Sequence, residues 1–165
     1  MKKVLKKKTI PSNDVLKIIC DTREQNPFEW DTDVQLYNDT LPCGDYTLVG
    51  HDLPTDDFSV IIERKASCQE LITNLAKKWD AFENELALLQ KYHTKCIVVC
   101  EPSCFPLLYH NKWTKLHPNF VESRLLYIYV RYQIPTIFFS NSTTARNYVH
   151  NLFKKVKRVC NDSEC

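Results

Sequence analysis

The sequence has little glycine. Gly44 and Gly50 are the only two in 165 residues, so its turns must rely on proline, asparagine and aspartate. No apolar run approaches the roughly 20 residues that a membrane helix needs. The basic start, Met1–Lys8, is not followed by the apolar stretch of a secretory signal, so an intracellular protein is expected, with nucleus and cytoplasm not distinguished. There is no C-x-x-C pair among the eight cysteines. Cys96, Cys100 and Cys104 lie four apart, unlike the closer paired ligands of structural zinc. Cys20, Cys43, Cys68, Cys96 and Cys100 sit in or beside apolar runs, as small hydrophobes do. Internal repeats, low-complexity stretches and linkers between two cores are also absent. With 44% hydrophobic residues, the chain is expected to fold as one domain around a real core.

The net charge of +2 conceals an asymmetry. Lys2, Lys3, Lys6, Lys7 and Lys8 at one end, and Lys154, Lys155, Lys157 and Arg158 at the other, flank a body with 13 basic and 18 acidic residues between positions 9 and 153. Such ends suit a polyanion, while the body gathers carboxylates for another purpose.

Apolar patterning predicts strands at Lys17–Cys20, within Asp39–Val49 after the Pro42-Cys43-Gly44 turn, at Phe58–Lys65, at Lys95–Cys100 and at Pro135–Phe139. Leu71, Leu75, Trp79, Phe82, Leu86 and Leu89 recur at steps of three and four, which predicts one long helix from Cys68 to Tyr92. Further helices are expected from Pro118 to Tyr132 and from Ser142 to Val159. Tyr127, Tyr129 and Tyr132 read as packing residues. The order implies an α/β sheet between helices, with its site at strand ends.

Acids collect at those ends. Asp21 follows the first strand, with Arg23 and Glu24 next; Asp45 follows Gly44; Glu63 and Lys65 close the third strand. Residues i and i+2 of a strand share a face, so Glu63 and Lys65 point the same way. Carboxylates with a lysine suit phosphodiester hydrolysis. Hard oxygen ligands hold Mg²⁺ (or Mn²⁺), and an ammonium stabilises the negative charge that develops. Taken singly, Asp21 and Asp45 read as turn residues and Glu63–Lys65 as a surface ion pair. Their joint occurrence favours a site.

Asp21-Thr22-Arg23-Glu24, Gly44-Asp45-Tyr46 and Ile62-Glu63-Arg64-Lys65 resemble, in order, the nuclease motifs of the XPF family, within the PD-(D/E)xK superfamily of restriction-type nucleases. The resemblance implies a basic arm over 1–16, an XPF-type nuclease domain over 17–159 and a short tail over 160–165. The implied fold is a restriction-endonuclease-like mixed sheet flanked by helices. It also implies that Asp45, Glu63 and the main-chain carbonyl of Arg64 bind the metal, with Asp21 a further ligand, direct or through water. Lys65 would be the catalytic lysine, and Arg23 and Glu24 would brace the site or touch substrate. Lys6, Lys7, Lys8 and Arg64 are expected to contact DNA.

The implied activity is metal-dependent endonucleolytic cleavage of branched or flapped DNA in repair, recombination or replication. A homodimer or heterodimer through the nuclease domain is expected, and no membrane. The rival reading is a catalytically inactive nuclease-like subunit that binds DNA or acts as a scaffold. The family pattern carries an aspartate four residues after the lysine. Here that position is Gln69, and the neighbouring Glu70 is expected to serve instead, with Glu101 an outer carboxylate or an exposed strand end.

Overall fold

In the computed structural model, residues 15–102 and 116–163 are described. The strand Val60–Lys65 (β4) is buried at all six positions, the mark of a strand covered on both faces. It pairs in parallel with Thr94–Val99 (β5) and antiparallel with Tyr46–Leu48 (β3). Outward from β3 lie Leu16–Asp21 (β1), antiparallel to it, and Val34–Asp39 (β2), parallel to β1 at the edge. Thr136–Phe138 (β6) continues the parallel side beyond β5. The mixed six-stranded sheet thus runs β2-β1-β3-β4-β5-β6.

Four helices among the described residues cover the sheet: Cys68–Ala76 (α1), Trp79–Leu89 (α2), Pro118–Tyr132 (α3) and Ser142–Ser163 (α4). Strand alternation divides the core in two. Ile61, Ile97 and Val99 pack with Leu71, Leu75, Phe82, Leu86, Val121 and Ile128 from α1, α2 and α3. Val60, Ile62, Cys96 and Val98 pack with Ala145, Val149, Phe153 and Val156 from α4. Glu63 and Lys65 continue the Ile61 row, toward α1 and α2; Arg64 continues the Ile62 row, toward α4.

Four expectations need correction. The single helix over Cys68–Tyr92 is two helices. Lys78 leaves helical geometry at φ −117° and ψ 27°, and the N–H groups of Lys77 and Lys78 both bond to the Thr73 carbonyl. The apolar steps ran on through this break because α1 and α2 both turn their apolar sides to the sheet, which hid it from periodicity. Strand β2 was not foreseen at all. Five of its six residues are exposed, so it has no buried row to read, and its pairing with β1 defines it. Lastly, Tyr132 packs as expected and Tyr127, though part-exposed, sets its ring against Trp79 and Tyr132 at 5.9 and 6.1 Å, but Tyr129 on α3 is 53% exposed. Helix α4 also runs four residues past the expected Val159.

Candidate active site

The site forms where β3 and β4 lie side by side. Gly44 places Asp45 there. Its φ is +67°, a conformation other residues rarely adopt, and a Cβ at this position would lie 2.6 Å from the Ile61 Cγ1. The chain therefore passes directly over β4, and the Asp45 N–H bonds the Ile62 carbonyl at 2.8 Å. The Asp45 Oδ2 accepts from the Arg64 N–H at 2.6 Å. An extended residue directs its N–H and C=O to the same side, so the Arg64 carbonyl also faces this edge.

Glu63 is 4% exposed. Lys65 Nζ donates to its Oε1 at 2.5 Å, and its Oε2 is buried with no hydrogen-bond partner. Burial first, and the neighbouring Asp45 charge next, push the Glu63 carboxyl well above the usual range. Burial also raises Asp45, to about 7, against the pull of the Arg64 N–H. Burial pulls Lys65 down, but Glu63 and then Glu85 and Glu70 outweigh it, so the ammonium is held in its charged form. The face of Phe82 lies 4.9 Å from Lys65 Nζ and closes the apolar side of the site.

The surrounding residues brace this centre. Asp21 is saturated: its Oδ1 accepts from the Arg23 N–H and Nε, both at 2.7 Å, and its Oδ2 from Arg23 Nη2 at 2.9 Å and the Leu41 N–H at 2.7 Å. Those bonds outweigh burial and hold its carboxyl below the usual range. Direct metal ligation by Asp21 is not what this geometry offers, because every oxygen already has two donors; it ties the β1 end to the start of the β3 turn. Arg64, expected at the DNA, is only 8% exposed. Its guanidinium packs on Phe28 and meets Glu24 at 3.4 Å, so it is a buried pillar on the α4 side. Glu24 in turn accepts from the Asn26 N–H at 2.7 Å and shapes the loop after β1.

Glu70 is the N3 residue of α1. Ser67 Oγ accepts from its N–H while its Oε2 accepts from the Ala66 N–H, a near-reciprocal cap. Its Oε1 also comes within 3.8 Å of Lys65 Nζ, so it reaches the site. Gln69 contacts Thr73 on its own helix. Glu101 accepts from the Cys68 N–H at 2.9 Å and caps α1, away from the acid pair. Lys6, Lys7, Lys8 and Cys104 lie outside the described residues.

Among the described residues, no three His, Cys, Asp or Glu side chains converge as a ready cation cage. The fit is to a smaller set. Mg²⁺ needs only one or two protein carboxylates, keeping waters and taking phosphate oxygens for the rest. A buried Glu63 with a partnerless Oε2, next to the half-buried Asp45 and beside an ammonium, meets that requirement.

The ERCC4 domain model matches residues 20–152, most of the chain. The chain belongs to the ERCC4-domain family. That is a family of structure-specific DNA nucleases. Two solved structures are similar at 21% identity: XPF from Aeropyrum pernix, with TM-score 0.59 over 87% of this chain and 61% of that one, and XPF from Aeropyrum pernix in complex with DNA, with TM-score 0.58 over 90% and 66%. This chain thus spans less than two thirds of either relative. No curated protein matches it. The likeness establishes the XPF-type, restriction-endonuclease-like fold that the motifs implied. No helix among the described residues is long and apolar enough to cross a membrane.

Proposed function

We propose that this ERCC4 domain is a Mg²⁺- or Mn²⁺-dependent endonuclease that cuts branched or flapped DNA near single-strand/double-strand junctions, in repair, recombination or replication. The observation that carries the reading is the partnerless Glu63 Oε2, buried next to Asp45 and beside the Lys65 ammonium. Two neighbouring acids that resist ionising together call for a cation, and a divalent one offsets both charges.

Asp45 and Glu63 would hold that cation, with the Arg64 carbonyl facing the same edge. The bound cation supplies Lewis-acid polarisation of a phosphodiester and acidifies water. Lys65 stays protonated between Glu63 and Glu70 and presents positive charge where the phosphate gathers negative charge. Phe82 shields the rear of the ammonium from water. The saturated Asp21 and the buried Arg64–Glu24 pair keep the loops on either side fixed.

DNA as substrate follows from the family, and is supported by the DNA complex of the A. pernix relative. The exposed Leu126, Tyr129 and Val130 on α3, at 57%, 53% and 70% exposure, would supply a homodimer or heterodimer contact. Sedimentation of Val130→Glu beside the unaltered chain tests it: a dimer should fall to monomer. An inactive subunit is the second reading, favoured by Gln69 where the family pattern carries an acid.

One experiment separates the two. The protein is incubated with labelled 3′ flap, 5′ flap, splayed-arm, Holliday-junction and plain duplex substrates in Mg²⁺ or Mn²⁺, beside Glu63→Ala. Junction-proximal cutting that the mutant abolishes supports the enzyme. Binding without cutting, by a folded chain, supports the inactive subunit.

A further inference from the structure

One acid near the site lies outside the three motifs that carry its chemistry, in the helix stretch Phe82-Glu83-Asn84-Glu85-Leu86 where the resemblance continues only loosely. Glu85 lies on α2, three residues after Phe82. Residues three apart on a helix are neighbours on its surface, about 5–6 Å between Cβ atoms. Since the Phe82 ring lies 4.9 Å from Lys65 Nζ, the neighbouring position on that face lies close to the site. Glu85 is half-buried, and its carboxylate takes part in none of the side-chain hydrogen bonds or ion pairs found among the described residues. Its charge also bears on Asp45, Glu63, Lys65 and Arg23, in keeping with that place next to Phe82. Glu83, two residues earlier, shows what an engaged acid on this helix looks like. Tyr127 and Tyr132 donate to its Oε1 at 3.2 and 3.0 Å, on the α3 side.

We propose that Glu85 is a positioning residue of the active site, whose unpaired carboxylate on α2 completes the negative field that draws a divalent cation to Asp45 and Glu63. The inference rests on the functional reading above. Glu85 is not a member of a three-acid cage, since none forms, so its action is through space and through the cation's own water shell. Lys65 meets Glu63 at 2.5 Å and Glu70 at 3.8 Å, and the charge of Glu85 on α2 also favours its ammonium form. The sequence departs from the family pattern at Gln69, and Glu85 restores an acid to the same site from another helix.

The test uses the full chain and Mn²⁺ alone, followed by calorimetry or by the loss of the free-ion resonance signal. Glu85→Gln should weaken Mn²⁺ binding about tenfold, the size expected for one charge acting on a divalent ion across several ångströms of partly wet protein. The loss should shrink as salt rises, and Glu85→Asp should recover most of it. Glu83→Gln is the control and should leave affinity unchanged. Melting temperature separates an effect on the cation from an effect on the fold. Equal Mn²⁺ affinity in Glu85→Gln and the unaltered protein overturns the inference while the nuclease reading stands. An equal loss in Glu83→Gln overturns it too, because the effect would then be general surface charge. If the unaltered protein neither binds Mn²⁺ nor cuts DNA, both readings fall.

Discussion

Asp21 and Glu63 are both buried acids at strand ends, at 2% and 4% exposure, yet their surroundings are opposite. Asp21 receives four donors, two on each oxygen, and its carboxyl is held below the usual range. Glu63 receives a single donor, leaves one oxygen with none, and is pushed well above that range. The first acid is finished by the fold; the second is left incomplete. A buried polar group without a partner costs stability, about 1–3 kcal/mol for an ordinary group and more for a charge. An acid kept that way is therefore a place where the fold leaves room for a ligand. On the proposed reading, the chemistry belongs to Asp45 and Glu63, and the architecture to Asp21.

The sharpest way to break this comparison is to neutralise each acid in turn. Glu63→Gln should lower cleavage at least about a thousandfold, the scale on which removal of a charge-stabilising group acts. In the same protein without metal, its melting temperature should fall, because the buried Lys65 ammonium loses its carboxylate partner. Cleavage retained by the fraction that stays folded would place Glu63 among the structural acids.

Asp21→Ala should act mainly on stability. It strands the Leu41 N–H, whose bond to Asp21 is buried, and should cost about 2 kcal/mol. Arg23 is 64% exposed and can turn to water, so its loss adds little. Urea unfolding checks the value. Cleavage by the fraction that stays folded should change far less than in Glu63→Gln. Full stability with abolished cutting would make Asp21 a member of the chemical set after all.

Gly44→Ala tests how Asp45 is delivered. A side chain at φ +67° costs about 1–2 kcal/mol, and the 2.6 Å approach to Ile61 adds to that unless Ile61 shifts. Because Asp45 follows directly, cation affinity should fall with stability. A mutant that melts lower but binds Mn²⁺ unchanged would separate the turn from the site.

How much of this was legible in the sequence depends on how far each feature's partners lie along the chain. Glu63 and Lys65 share a face by the period of two, and β4 shows that face toward α1 and α2. Asp45 after a scarce glycine was legible for the same local reason. The saturation of Asp21 was not, because one of its donors is the Leu41 N–H, 20 residues on, in a turn whose path only the sheet fixes. The burial of Arg64 was hidden too: the motif names the residue, but the Phe28 ring and Glu24 that enclose it come from the loop after β1. Strand β2 carries no buried row, and the α1–α2 break keeps the apolar steps intact, so neither leaves a mark in the pattern. Glu85 lies outside the three main motifs, and its place became visible only once Phe82 was seated under Lys65.

The smallest expected effect is also the one that sets the two kinds of acid against each other most directly, through pH. Asp45 titrates at about 7 in the fold, above its ordinary 3.8. The folded state therefore binds that proton more tightly than the unfolded chain does, and the contribution is full below about pH 4 and is lost as pH rises through 7. Glu63 acts in the same direction. Asp21 acts in the opposite one: its stabilisation is present above pH 3.8 and is lost as pH falls below that value toward its lowered folded position. Metal-free protein should therefore lose stability between pH 5 and 8 through the site, while Asp21 contributes constantly over that window. Asp45→Asn should flatten the slope; Asp21→Asn should leave it in place and lower the whole curve. Mg²⁺ competes with the protons on Asp45 and Glu63, so its stabilising effect should be small at pH 5 and larger at pH 8. At ten times its dissociation constant it should add about 1.4 kcal/mol. Denaturant curves at the two pH values, with Mg²⁺ or with chelator, read all of this. A Mg²⁺ effect of the same size at both, or one that survives Asp45→Asn, would mean that the cation binds elsewhere and that the incomplete acid pair is not its site.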